Sequence, residues 1–188
     1  MLAQPQVVYL EALSRTARET DARVELLVRP LSDSQLGWHP TDGGWSIADV
    51  LEHLCVVYDS YDSLLGPRID APDVRRAEED GPWSPTRAGA MLVRSFASDR
   101  KLPAPKIFRP APEPRPDVLD EFLAREQQLL ERLARARTVD LQRVKLPSPA
   151  ARLIRINLGD ALGILVQHAR RHFGQMARVR ARVGFPAD

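Results

Sequence analysis

Four histidines, His39, His53, His168 and His172, are the residues of this 188-residue chain best suited to chemistry. His168-Ala-Arg-Arg-His172 has the H-x3-H spacing. Residues four apart on a helix lie on one face, one turn apart, so two such imidazoles can share a single metal ion. The pair falls on an apolar stripe between Leu165 and Val179. Two inward imidazoles in a small core are costly unless they are satisfied. The competing readings are therefore a shared metal or two neutral rings hydrogen-bonded in the core. His53 lies at the edge of a second helical stripe formed by Val50, Leu54 and Val57. If the two helices face each other, His53, His168 and His172 converge, and a neutral three-histidine set keeps open the coordination positions a catalytic metal needs. Imidazole suits Zn, Ni, Fe or Cu. Taken alone, His53 reads as a solvent-exposed flank residue. His39 sits in a turn before Pro40 and belongs to no such set. No HExxH glutamate accompanies the histidines, so zincin-type protease chemistry is not expected.

Positioning these side chains falls to four periodic segments. The first predicted helix covers about residues 5–29, with Val7, Leu10, Leu13, Ala17, Val24, Leu27 and Val28 on one face and Pro30 at its end. A turn-rich linker, LSDSQLGWHPTDGG, follows. The second helix opens on a capping box, Ser46 with Asp49, carries Ile47, Val50, Leu51, Leu54, Val57, Tyr58, Tyr61 and Leu65, and is predicted to stop at Gly66-Pro67. Residues 66–116 hold ten of the sixteen prolines. They read as a crossover, a lid or disorder, with one short helix near Thr86–Asp99. The third helix begins near Pro116-Asp117, and a loop at about 138–156 leads to the fourth, from Asn157 to Gly184. Strand signals are weak. The chain is expected to be one all-α domain, residues 1–188: a four-helix bundle with a Pro-rich crossover insert at 66–116 between the second and third helices. Connection lengths leave up-down-down-up and up-up-down-down orders both open.

Composition narrows the function classes. A single cysteine, Cys55, excludes an intrachain disulfide, a four-cysteine zinc ribbon and a CxxC redox pair. No apolar run approaches the 18 residues of a membrane span. The first residues lack the basic-then-apolar pattern of a secretory signal, so a cytoplasmic location is expected. The net charge of +2 hides an asymmetry: residues 1–64 carry −6 and residues 152–182 carry +6. Opposed charges of this kind fit one half packing against the other better than a nucleic-acid surface. Nucleic acid is therefore the least favoured partner.

Several further residues carry an alternative each. Asp21 and Ser14 lie on the stripe of the first helix, and Asp21 reads as a partner for a ligand histidine, as a base, or as an end-of-bundle carboxylate reaching water. Gln175 shares the face of His172 and could orient a metal-bound water or make a structural hydrogen bond. Cys55 points about 200° away from His53 and reads as an inert buried thiol. Trp38 and Trp45 read as packing residues or a pocket wall. Arg171, Arg178 and Arg182 form a stripe that reads as a solvated face or as a grip for an acidic substrate.

Three stretches carry a family resemblance. GGWSIADVLEHL (43–54), with His53 eight residues after Trp45, resembles the second helix of the DinB-like superfamily. LGDALGILVQHARRHFGQMARVR (158–180) is similar to its fourth helix, whose H-x3-H-x2-Q pattern is met by His168, His172 and Gln175. LSDSQLGWHP (31–40) is similar to the linker after its first helix. The resemblance implies an up-down-down-up four-helix bundle, often a homodimer, with a divalent metal (Zn, Ni or Fe) on His53, His168 and His172. It also implies an enzyme that uses a low-molecular-weight thiol cosubstrate, as an S-transferase or a maleylpyruvate isomerase. A metal on these residues would activate a bound water or thiol, so a metal-dependent transferase and a metal-dependent hydrolase acting on a small molecule both fit. The alternative is a non-catalytic metal- or ligand-binding stress-response module. The catalytic residues beyond the metal set are unassigned.

Overall fold

The computed structural model describes residues 3–71, 76–78, 81–96 and 103–187. Four long helices make the bundle: α1 (Gln6–Val28), α3 (Ile47–Asp70), α5 (Val118–Arg135) and α6 (Leu158–Arg180). Two shorter ones, α2 (Asp33–Leu36) and α4 (Arg87–Phe96), lie in the connections. Two small antiparallel ladders complete the fold. β1 (Gln4–Pro5) pairs with β2 (Pro82–Trp83), and β3 (Lys145–Ser148) pairs with β4 (Ala151–Asn157). Among the described residues no helix is long and apolar enough to cross a membrane.

Helix directions follow from cross-helix contacts. Between α3 and α5, Glu52 meets Arg115 just before α5, Asp59 meets Arg125, and Asp62 and Asp70 meet Arg132. The numbers rise together, so these helices are parallel. Between α1 and α6, Tyr9 bonds the Gly159 carbonyl, Arg23 lies over Phe173, and Arg180 bonds the Leu27 carbonyl, which is again parallel. Between α1 and α5, Arg29 meets Asp120 while Glu11 meets Arg137, so that pair is antiparallel. The bundle is therefore up-down-down-up, one of the two orders the sequence left open. Its interior is a contiguous cluster of apolar side chains, including Leu10, Leu13, Val24, Leu51, Leu54, Phe122, Leu133, Leu162 and Met176.

The local signals explain where α3 and α6 begin. Ser46 accepts from Asp49 N while the Asp49 carboxylate accepts from Ser46 N, and Asn157 and Asp160 repeat the arrangement at α6. The end of α3 departs from expectation. It continues through Gly66-Pro67 to Asp70. Tertiary packing overrides the break: Ile69 is buried, and the Arg132 guanidinium lies against Gly66 while bridging Asp62 and Asp70. The segment read as an insert thus loses its first residues to α3. The short helix expected near Thr86–Asp99 is α4, ending at Phe96, with Asp99 outside the described residues. Residues 138–156, expected as loop, contain the β3–β4 hairpin, in which Leu146 and Ile156 are the buried pair. A register irregularity at Pro147/Ser148 accommodates the prolines. Finally, α6 stops at Arg180, and Gly184 instead takes a left-handed φ of 87° in the turn beyond.

The connection from α3 to α5 is tied down at α6. Trp83 stacks on Tyr9 at 3.7 Å, and its indole N–H donates to Asn157 Oδ1 at 3.2 Å. Thr86 donates to Asp160 through N and Oγ1. The approach is close enough that a Cβ at Gly159 would lie 2.1 Å from the Trp83 ring nitrogen, and one at Gly89 would lie 2.1 Å from the Asp160 carboxylate.

Candidate metal centre

His53 lies two turns into α3, under the Trp45 ring at 5.0 Å, and is 3% exposed. Its Nδ1 donates to the Phe108 carbonyl at 2.6 Å. A carbonyl only accepts, so the proton is on Nδ1 and Nε2 carries a lone pair. His172, on α6, is 7% exposed, and its Nδ1 donates to Gln175 Oε1 at 2.8 Å, which likewise leaves Nε2 as a lone pair. Both Nε2 atoms face a third, that of His168, at 3.3 Å from His53 and 3.0 Å from His172. His168 Nδ1 is sealed from solvent and has no hydrogen-bond partner among the described residues.

One His168 proton cannot satisfy this arrangement. On Nε2 it serves one neighbour and leaves the other lone pair opposed. On Nδ1 it has no acceptor and three lone pairs meet. A cation at the meeting point would relieve all three. Zinc–nitrogen bonds of about 2.1 Å put ligand nitrogens about 3.0 Å apart at 90° and about 3.4 Å apart at the tetrahedral angle. The observed separations match that range, and the three donor atoms all lie within 4.8 Å of one another. This cluster could hold a metal ion.

Electrostatics favour the ligand form. Burial pushes His172 down to about 3, helped by the nearby His53 ring and the Arg171 and Arg178 guanidiniums and opposed by the Gln175 bond. Burial holds His168 well below the usual histidine value, with His172, His53 and Arg171 adding to it. His53 is lowered by burial against the opposing Phe108 bond. All three rings are neutral at pH 7, as metal ligation requires.

The cluster forms part of the floor of an open cleft of about 1510 Å³. Trp45, Phe96 and Phe108 supply aromatic wall, and Arg109, Arg171, Arg178 and Arg182 supply charge. Phe96 lies 5.0 Å from His168. Tyr61 also lines the cleft, its hydroxyl pushed up to about 12 by burial.

The structure brings His53, His168, His172 and Gln175 together, sets Trp45, Arg171, Arg178 and Arg182 in the lining of the same cleft, and leaves His39, Cys55, Trp38, Ser14 and Asp21 outside it. His39 is exposed, its Nδ1 3.3 Å from the Gly44 carbonyl and 3.4 Å from Asp49. Cys55 is buried away from the cleft, its thiol pushed up to about 11, an inert state. Trp45 is pocket wall, while Trp38 packs on Phe185. Ser14 does not line the cleft. Asp21 is neither a histidine partner nor a solvated bundle-end residue: it pairs with Glu126 of α5, which in turn accepts from the Tyr58 hydroxyl. Sequence reasoning missed Glu126, although its place between Phe122 and Leu129 on an apolar stripe marks it as buried. It also missed the Phe108 carbonyl, for which no side-chain signal exists.

The sequence profile of the DinB superfamily matches residues 13–176. This chain belongs to the DinB superfamily. It is 28% identical over 172 residues to a protein of Geobacillus thermodenitrificans (strain NG80-2) named "Putative metal-dependent hydrolase", covering 89% of this chain and 82% of that one. It is 25% identical over 172 residues to YuaE of Bacillus subtilis (strain 168), covering 87% and 95% respectively. Among solved structures it resembles YfiT from Bacillus subtilis, described as a probable metal-dependent hydrolase with an unusual four-helix bundle topology, with a TM-score of 0.59, 19% identity and coverage of 94% and 89%. That likeness concerns the fold.

Proposed function

We propose that this DinB-superfamily chain is a metal-dependent enzyme acting on a small molecule, with His53, His168 and His172 as the ligands of one divalent ion. The carrying observation is the convergence of three Nε2 atoms, two with their tautomer set from behind by Phe108 O and Gln175 Oε1. Such partners orient a ring and raise its basicity toward a metal. When bound, the ion supplies Lewis acidity, by which water or a thiol becomes nucleophilic near neutral pH. The chain's own residues do the rest. The imidazoles hold the ion, the Phe108 carbonyl and Gln175 orient them, and Trp45, Phe96 and Phe108 limit water on one side of the cleft.

Hydrolysis is the favoured reaction, supported by the names of the relatives. Transfer to a low-molecular-weight thiol rests on the family resemblance alone, as do a homodimer and a cytoplasmic location. A single domain is supported by the contiguous core. The test is elemental analysis of purified wild type, His168→Ala and His39→Ala after loading with Zn, Ni or Fe, followed by an ester, amide and thiol-transfer screen with and without metal. About one ion in wild type and His39→Ala, none in His168→Ala, and metal-dependent turnover are expected. Equal occupancy in all three, or none in wild type, refutes the site. A metal-loaded protein without turnover favours a binding module.

A further inference from the structure

Resting on that reading, we infer that the substrate carries an uncharged apolar arm, alkyl or aryl, which lies along the cleft from the three histidines to Tyr61. Two helical rows make the floor of this trough. His53, Val57 and Tyr61 are spaced by four on α3, and Ile164, His168 and His172 are spaced by four on α6, all of them lining the cleft. α3 runs parallel to α5, α5 antiparallel to α1, and α1 parallel to α6, so α3 and α6 are antiparallel. Tyr61 at the end of one row therefore lies toward Ile164 at the end of the other, with the histidines at the opposite end. α4 supplies the wall. Gly89 packs on the Asp160 carboxylate and Phe96 lies 5.0 Å from His168, so α4 follows α6 and its Leu92, also in the lining, stands level with Ile164.

Charge stops at the histidines. Among the described lining residues, Asp42 precedes α3, Arg109 follows Phe108, and the remaining charged side chains come after His168 on α6 and its extension. None stands between His53 and Tyr61 or between Ile164 and His168. Val57, Tyr61 and Ile164 are all buried. A charged group laid against them would lose its hydration with no opposite charge to replace it, whereas an apolar group gains by leaving water. Burial pushes the Tyr61 hydroxyl up to about 12, so the far end, where it meets Ser148, is an uncharged O–H. The eight residues from His53 to Tyr61 rise about 12 Å, which sets the reach of the arm. The substrate class is thus a small molecule whose reacting bond sits at the histidines and whose neutral arm, a medium-length acyl chain or a phenylalkyl group, fills the trough.

Calorimetric titration tests this with four unreactive amides that share one head and differ in the tail: butanamide, octanamide, 8-aminooctanamide and suberic acid monoamide. Each is measured on metal-stripped and on zinc-loaded protein. Octanamide is expected to bind at least tenfold more tightly than butanamide in both forms, because its extra methylenes leave water. Both charge-ended amides should bind at least tenfold more weakly than octanamide, whatever their sign. Leu92→Lys, which sets a charge in the wall, should bring octanamide down to the affinity of butanamide. Leu26→Lys, on the exposed side of α1, should leave the preference intact. If Leu92→Lys fails to fold, judged by circular dichroism, the comparison of tails on wild type decides. Equal affinity for butanamide and octanamide overturns the inference. So does tight binding of either charge-ended amide, because the arm would then lie toward the charged end of the cleft. An equal loss in Leu92→Lys and Leu26→Lys also overturns it. A wild type that takes up no metal yet prefers octanamide and rejects both charged tails refutes the metal site and leaves the apolar trough standing.

Discussion

Asp21→Asn should stabilise this protein above pH 6.5 and leave it unchanged near pH 4. Asp21 Oδ1 and Glu126 Oε2 are both buried, with no conventional donor among the described residues. A single proton on Glu126, donated to Asp21, satisfies both atoms. Burial first, and the charge of Asp21 next, hold Glu126 well above the usual carboxyl range. Burial pushes Asp21 up from 3.8 to about 6, against lowering by the Glu126 bond and Arg18. Tyr58 faces the pair from α3 and donates to Glu126. A raised carboxyl pKa means that the folded protein keeps the proton longer than the unfolded chain. The stability is fully present below about pH 4 and is lost as pH rises through about 6. Lifting a carboxyl by this much corresponds to about 3 kcal/mol. Asp21 is only partly buried, so screening by solvent reduces the figure to about 1–2 kcal/mol. Asparagine retains an acceptor for the Glu126 proton and carries no charge to desolvate. Urea unfolding at pH 4.5, 6 and 8 reads the difference. With a slope of about 2 kcal/mol per molar, the Asp21→Asn midpoint should exceed wild type by about 0.5–1 M at pH 8 and by little at pH 4.5. A variant equally or less stable at pH 8, or an offset independent of pH, refutes the shared proton.

Other outcomes follow from features already described. Gln175→Ala should weaken zinc binding by about 10–100-fold, measured by competition with a chelator, with helix content unchanged, because only the partner behind His172 is lost. Gly159→Ala forces a methyl group into the Trp83 ring, and overpacking of this kind should lower stability by about 1–3 kcal/mol in urea unfolding. Glu52→Gln weakens the fork to Arg115, whose Nε and Nη2 lie 2.8 and 2.9 Å from the carboxylate. Because burial opposes its pairing and Arg115 outweighs it, holding Glu52 below the usual value, the loss relative to wild type should be present at pH 7 and vanish as pH falls below the carboxyl range.

The bundle was legible because its helices announce themselves locally. The Ser46/Asp49 and Asn157/Asp160 boxes sit where α3 and α6 begin, and the apolar period names the core. His53, His168 and His172 were legible as a set because each lies on or beside such a stripe. What escaped depends on contacts between distant residues. Pro67 stays helical through Arg132, which is 65 positions away and was invisible to a local rule. The β3–β4 hairpin carries Leu153 at 98% exposure, so its apolar pattern did not alternate with a buried face. The fold direction was undetermined from connection lengths alone and becomes readable only when Asp59 meets Arg125 and Arg29 meets Asp120.

The parallel course of α3 and α5 has a consequence for how such a site can change. A chain leaving the end of one helix to enter the start of a parallel neighbour must travel back the whole length of the pair, about 36 Å for the 24 residues of α3. An extended strand would cover that in about eleven residues. The chain uses residues 71–117 instead, and the surplus builds α4, the Phe108 turn and much of one side of the cleft. The imidazoles ride on helices whose positions the core dictates. The opposite wall is drawn from a detour that the topology makes compulsory but whose length it does not dictate. Substitution, insertion or shortening in that detour can reshape what the cleft admits while the ligand set stays in place, apart from the one carbonyl at Phe108 that must still reach His53.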